Sequence, residues 1–179
     1  MPWHKAAMAD AITIYVDADA CPVKDEVFRV AERHGAVHGD VAVQVVANAW
    51  LNVPRLPWIT LTVVGSRLDE ADDWIAERAK AGDIVITADV PLAARCVKAG
   101  ATVLAPNGKA FNGSIGMDLA LRNLMTDLRA ASPTERVGSG PRPFGAKDRS
   151  TFLQALHEAV VKLKREVSLR HPGLDPGSH

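Results

Sequence analysis

An apolar run rich in β-branched and aromatic residues, Ile12-Thr-Ile-Tyr-Val16, leads directly into Asp17-Ala-Asp19-Ala-Cys21-Pro22. A run of that composition reads as a strand buried in a core. A proline just beyond it starts a helix, because the N–H it lacks has no partner in a first helical turn. The order strand, acids, helix sets Asp17 and Asp19 at the C-terminal edge of a strand, the edge at which open α/β sheets bind ligands. If the extended conformation continues to Ala20, the two carboxylates share a face. Two anions about 5 Å apart repel by roughly 3 kcal/mol at an effective dielectric near 20. A cation is therefore expected beside them, and a divalent metal is the usual one.

The pattern after this strand alternates. Val23, Val27, Val30, Ala31 and His34 recur at helical spacing, with Gly35 as a left-handed stop. Residues 41–47 (VAVQVVA) and 59–64 (ITLTVV) read as buried strands, separated by a proline-bearing loop over 48–58. A helix over 69–81 ends at Gly82, a strand covers 83–88, a short helix 91–99 ends at Gly100, and a strand over 102–105 precedes a Pro-Asn-Gly turn. Strands alternating with helices imply a doubly wound parallel sheet of about five strands with helices on both faces. Two amphipathic helices come next, over 115–131 and 148–169, and between them 132–147 is dense in Gly, Pro and basic residues. A loop that long is functional or mobile. At 179 residues the chain fits one domain, 11–170, with an N-terminal extension over 1–10 and a disordered tail over 171–179.

No stretch approaches the roughly 18 consecutive apolar residues of a membrane span, and 1–10 lacks the apolar core of a signal peptide, so a cytoplasmic location is expected. The two cysteines, Cys21 and Cys96, are too few for a disulfide framework and lack metal-knuckle spacing. A helix N-terminus lowers the pKa of a thiol such as Cys21, yet packing is its expected role. The histidines show no zinc spacing and Gly108, Gly113 and Gly116 form no phosphate loop. Trp50, Trp58 and Trp74 are possible base-stacking residues, with packing as the commoner use. The net charge of zero hides an asymmetry: residues 1–108 hold 10 Lys and Arg against 14 Asp and Glu, whereas 109–170 holds 11 against 6. The acidic part suits a cation and the basic part a phosphate-bearing partner.

Acids recur where such a sheet gathers its element ends. Asp17 and Asp19 end the first strand, Asp69, Asp72 and Asp73 open a helix, and Asp89 comes just after the fourth strand. Carboxylates from three elements can hold Mg2+ or Mn2+ through oxygen ligands, and such ions activate water and clamp phosphoryl oxygens. Structural readings stand beside this one. Asp69 suits an N-cap with Asp72 at the third helical position, Asp89 suits a cap for the helix near Pro91, and Asp83 reads as a turn residue.

The strings VDADACP, the VAN ending at Asn48, D-x-A-D at Asp69 to Asp72, and GDIVITADVPLA over 82–93 resemble the YaiI/YqxD family of small bacterial proteins, grouped with PIN-like nuclease folds; the match runs from about Thr13 to Arg165. The PIN pattern has an Asp ending the first strand, an Asp-x-x-Ile opening a helix and a Thr-x-Asp after a later strand. Here these correspond to Asp17, to Asp72 with Ile75, and to Thr87 with Asp89. The resemblance implies Mg2+ or Mn2+ bound by Asp17, Asp72 and Asp89, a site-orienting Thr87 hydroxyl, and nuclease activity, most naturally on RNA. Asp19 lies outside the common PIN pattern, and Asp69 is the substitute for a Glu often present on the PIN helix. Asn48, Arg136, Arg142, Lys147 and Arg149 form the substrate-binding set. Two other readings remain open: a haloacid-dehalogenase-like phosphatase with Asp17 as nucleophile and Asp19 as acid/base, and a non-catalytic nucleic-acid or protein-binding module with a structural ion.

Overall fold

The protein is described by a computed structural model that covers residues 11–18, 21–65, 67, 69–111 and 144–170. The expectations for 1–10, Asp19, the 115–131 helix, the basic loop residues Arg136 and Arg142, and the 171–179 tail fall outside the described residues.

In chain order the elements are β1 (Ile12–Asp17), α1 (Lys24–Arg33), a 3-10 turn (Ala36–His38), β2 (Val41–Ala47), β3 (Ile59–Val63), α2 (Glu70–Arg78), β4 (Ile84–Ile86), α3 (Val90–Lys98), β5 (Thr102–Leu104), β6 (Ala110–Phe111) and α4 (Ala146–Arg170). Six strands form one sheet in the order β3-β2-β1-β4-β5-β6, parallel throughout except that β6 runs antiparallel to β5. The chain thus winds outward from β1 in one direction through β2 and β3, then returns to lay β4 on the other side of β1. That reversal leaves a crevice between the C-terminal ends of β1 and β4.

Helices cover both faces, and period-two alternation decides which residue meets which layer. Ile12, Ile14 and Val16 of β1 pack with Val27 and Val30 of α1 and with Phe152, Leu156 and Val160 of α4. Tyr15 of β1, Val85 of β4 and Val103 of β5 pack with Ile75 of α2 and with Leu92 and Cys96 of α3. Asp17 and Thr87, one residue past Val16 and Ile86, fall on the α2/α3 side by the same alternation. The α1 helix stops where expected, with Gly35 at φ +96°, a conformation that costs a residue with a Cβ about 1 kcal/mol or more.

The structure departs from the pattern reading at several ends. Extension of β1 stops at Asp17, and Ala18 turns into 3-10 geometry. Helix α2 ends at Arg78 because Ala79 is extended (φ −66°, ψ 136°). Strand β6, two residues long, is too short to show a period in the sequence. Among the described residues no helix is long and apolar enough to cross a membrane.

Candidate functional site

Thr87 is the hinge of the acidic edge. Its hydroxyl donates to Asp17 Oδ2 at 2.8 Å and accepts from the backbone N–H of Asp89 at 2.9 Å. The N–H can only donate, so the hydroxyl oxygen accepts from Asp89 and its single proton goes to Asp17. Thr87 is fully buried and Asp17 is 7% exposed, so this contact is shielded from bulk water. Asp89 then caps α3: its Oδ1 accepts from the Leu92 N–H at 2.8 Å, with Pro91 in the first turn. Asp17 and Asp89 are therefore two hydrogen bonds apart, although they lie 72 residues apart in sequence.

Asp72 joins them from α2. Its carboxyl lies near enough to those of Asp89 and Asp17 to feel their charge. Burial, followed by the charges of Asp89 and Asp17, pushes the Asp72 carboxyl from 3.8 up to about 7. Its neighbour Asp73 turns outward instead and pairs with Arg95 of α3 at 2.7 Å, an exposed bridge worth little by itself. Asp69 lies exposed at the N-cap of α2, as its position suggested, but makes no side-chain cap bond.

The remaining sequence candidates are dispersed. Asn48 is the first residue past β2, half-buried at the same sheet edge. Lys147 is exposed in the first turn of α4. Arg149 is held against the body of the protein: its Nη1 donates to the Pro22 carbonyl at 2.8 Å and to Glu26 Oε1 at 3.2 Å, and its guanidinium lies 5.2 Å from the Phe144 ring centre. Sequence reading did not reveal this pair, because Glu26 and Arg149 are 123 residues apart.

One expectation, for Asp83, needs correction, and one, packing for Cys21, agrees with its burial. Asp83 is more than a turn residue; it is 2% exposed, accepts from the Lys80 backbone N–H at 3.2 Å and sits 3.6 Å from Lys80 Nζ, and burial pushes its carboxyl up. For Cys21 burial outweighs any helix-terminus effect and pushes the thiol up to about 11, as it does for Cys96. Neither is a ready nucleophile at neutral pH.

Among the described residues no group of three or more His, Cys, Asp or Glu side chains stands arranged as it is to hold a metal ion. As a donor set, however, Asp17, Asp72 and Asp89 offer hard oxygen ligands alone, the chemistry that fits Mg2+ or Mn2+ and not a soft metal.

The profile described as "Uncharacterized BCR, YaiI/YqxD family" matches residues 15–162. A UPF0178 protein of Rhodopseudomonas palustris (strain TIE-1) is 60% identical over 160 residues, covering 88% of this chain and 96% of its own length. A UPF0178 protein of Nitrobacter winogradskyi is 60% identical over 161 residues, 89% of this chain and 98% of the relative. One from Azorhizobium caulinodans is 57% identical over 161 residues, 89% and 96% of the two chains.

Proposed function

The chain belongs to the YaiI/YqxD family, and we propose that Asp17, Asp72 and Asp89 bind Mg2+ or Mn2+ to make it a phosphodiesterase acting on nucleic acid, RNA above all, with a PIN-like winding of its sheet. The observation that carries this reading is the meeting of three carboxylates from β1, α2 and the N-terminus of α3 in the crevice where the strand order reverses. Fold alone would not carry it, since one architecture hosts many chemistries.

Each residue has a distinct part. Thr87 fixes the carboxyl of Asp17, so one ligand is oriented before anything binds. Asp89 caps α3 through Oδ1. Asp72 and Asp89 would complete the oxygen ligand set with Asp17, and an ion held there would supply an activated water and neutralise charge on the phosphoryl oxygens. A phosphatase reading asks Asp17 to attack phosphorus, yet its carboxyl is buried and hydrogen-bonded, the state of an oriented ligand.

The test is cleavage of an end-labelled single-stranded RNA in Mn2+ and in EDTA, with Asp17→Asn, Asp72→Asn and Asp89→Asn. Cation-dependent cleavage reduced at least 100-fold by Asp17→Asn is expected. Asn at position 89 retains the helix cap, so loss there reports on the site and not on folding. Cleavage unchanged in EDTA, or a trapped aspartyl-phosphate on Asp17, would overturn the reading.

A further inference from the structure

The three tryptophans of the sheet region have separated into two kinds. Trp58 packs against the core under α1 and α4. Trp74 meets the Tyr15 ring edge-on at 6.2 Å and carries the Arg78 guanidinium 3.9 Å above its own ring. Trp50 is 70% exposed. Its orientation is set by its neighbours: Leu51 and Val53 pack inward, whereas Trp50, Asn52 and Pro54 point out. Turning Trp50 inward would turn Leu51 outward. An indole held in water by its own strap forgoes the burial that an aromatic ring of this size ordinarily obtains.

Its place in the fold gives that exposure a use. Ala47 at the end of β2 is the register partner of Val63 at the end of β3. Trp50 leaves this corner three residues after Ala47, and exposed Arg67 leaves it four residues after Val63. Asp17 is the register partner of Val46, one strand away. At about 3.6 Å per extended residue and 4.8 Å between strands, the Trp50 backbone lies within about 20 Å of Asp17. The corner therefore shares the C-terminal edge of the sheet with the acidic crevice. A cluster of carboxylates repels phosphates, while an aromatic face accepts a neutral base and an arginine accepts the phosphate beside it.

We propose that Trp50 stacks an unpaired base and Arg67 holds an adjacent phosphate, so that the β2–β3 corner receives the single-stranded flank of the nucleic acid whose phosphodiester enters the acidic crevice. This rests on the phosphodiesterase reading for its orientation, but not for its readout. Bases inside a duplex are already stacked on one another, which makes the corner selective for single strands.

The test is binding of a fluorescent, phosphorothioate-linked RNA 12-mer, single-stranded and as a duplex, followed by anisotropy in EDTA across a salt series. Trp50→Ala is expected to weaken single-strand binding about 10-fold or more and duplex binding far less, with Trp50→Phe retaining most of the affinity. Arg67→Ala should lower the log-log salt slope by about 0.7, and Arg67→Lys should leave the slope in place. Both residues are exposed, so unchanged melting curves verify the fold of each variant. Equal single-strand affinity for wild type and Trp50→Ala would overturn the proposal, as would failure of the wild type to bind the single strand. So would a dimer in sedimentation that Trp50→Ala converts to monomer, since the corner would then be a protein interface. Trp50-dependent binding without cleavage in Mn2+ would leave the proposal standing and remove the phosphodiesterase reading, whereas cleavage with Trp50-independent binding would do the reverse.

Discussion

The two faces of one sheet differ in how they treat carboxylates. Beneath α1 and α4, buried Glu26 meets Arg149, the His34 ring meets His157 at 2.8 Å, and Lys164 Nζ donates to the His34 carbonyl at 2.7 Å. Beneath α2 and α3 the result depends on the edge. Asp83, near the N-terminal end of β4, is matched by Lys80. At the C-terminal end Asp17, Asp89 and Asp72 meet one another, and Asp72 bears the cost of that crowding. A chain selected for stability alone has the means to neutralise a carboxylate at every such point, because it does so at Glu26 and at Asp83. The crowded edge is the exception, and the proposed metal site rests on that exception.

The largest expected effect lies on the α1/α4 face. Phe152 is fully buried, so Phe152→Ala should cost about 3–5 kcal/mol and lower the melting temperature by roughly 6–20 °C, with the stabilisation by Mn2+ unchanged. Loss of the Mn2+ response in that variant would show that the two faces are not independent.

Next comes Arg149→Ala, which strips the buried Glu26 of its guanidinium. The pair is partly open to water, so about 1–3 kcal/mol is expected, seen as a lower melting temperature, whereas Lys147→Ala at an exposed position should melt like the wild type. An Arg149→Ala variant that melts normally and loses RNA affinity would return Arg149 to phosphate binding.

A smaller effect should come from pH at the acidic edge. The Asp72 carboxyl is raised from 3.8 to about 7 by burial and by Asp89 and Asp17. Between those values the unfolded chain has released a proton that the folded chain retains, so this group's contribution is full below about pH 4 and lost by about pH 7. Metal-free Asp72→Asn lacks that loss. Its melting temperature relative to wild type should be higher at pH 8 than at pH 4, and a constant difference would contradict the crowding.

The smallest effect belongs to the histidine pair. Burial, then Lys164, His157 and Arg33, lowers the His34 pKa below 6.5. The unfolded chain therefore takes up a proton first as pH falls, and the pair's contribution, present at neutral pH, is lost below about pH 6.5. Melting between pH 7 and pH 5 should fall less steeply in His157→Gln than in wild type.

Much of this arrangement is legible in local pattern. β-branched runs mark β1, β2 and β3, and the 3.6-residue spacing with Gly35 marks α1. The ends of β1, β4 and α2 locate Asp17, Asp89 and Asp72 at element boundaries. What pattern does not hold is partnership across long separations. The Thr87 bond to Asp17 spans 70 residues and the His34–His157 contact 123, and neither leaves a period or a spacing to read. The pairing of Asp83 with Lys80 is local, spanning three residues, and escapes a sequence reading because burial of a turn is a tertiary fact. Strand β6 is too short to alternate. The sorting of the tryptophans is invisible for a related reason: composition does not tell an anchored ring from an exposed one.

The most direct measurement is an anomalous difference map from crystals soaked in Mn2+. A peak bonded at about 2.0–2.6 Å by oxygens of Asp17, Asp72 and Asp89 is the expected result. No peak among these carboxylates in a crystal that binds Mn2+ elsewhere would contradict a metal centre at this edge.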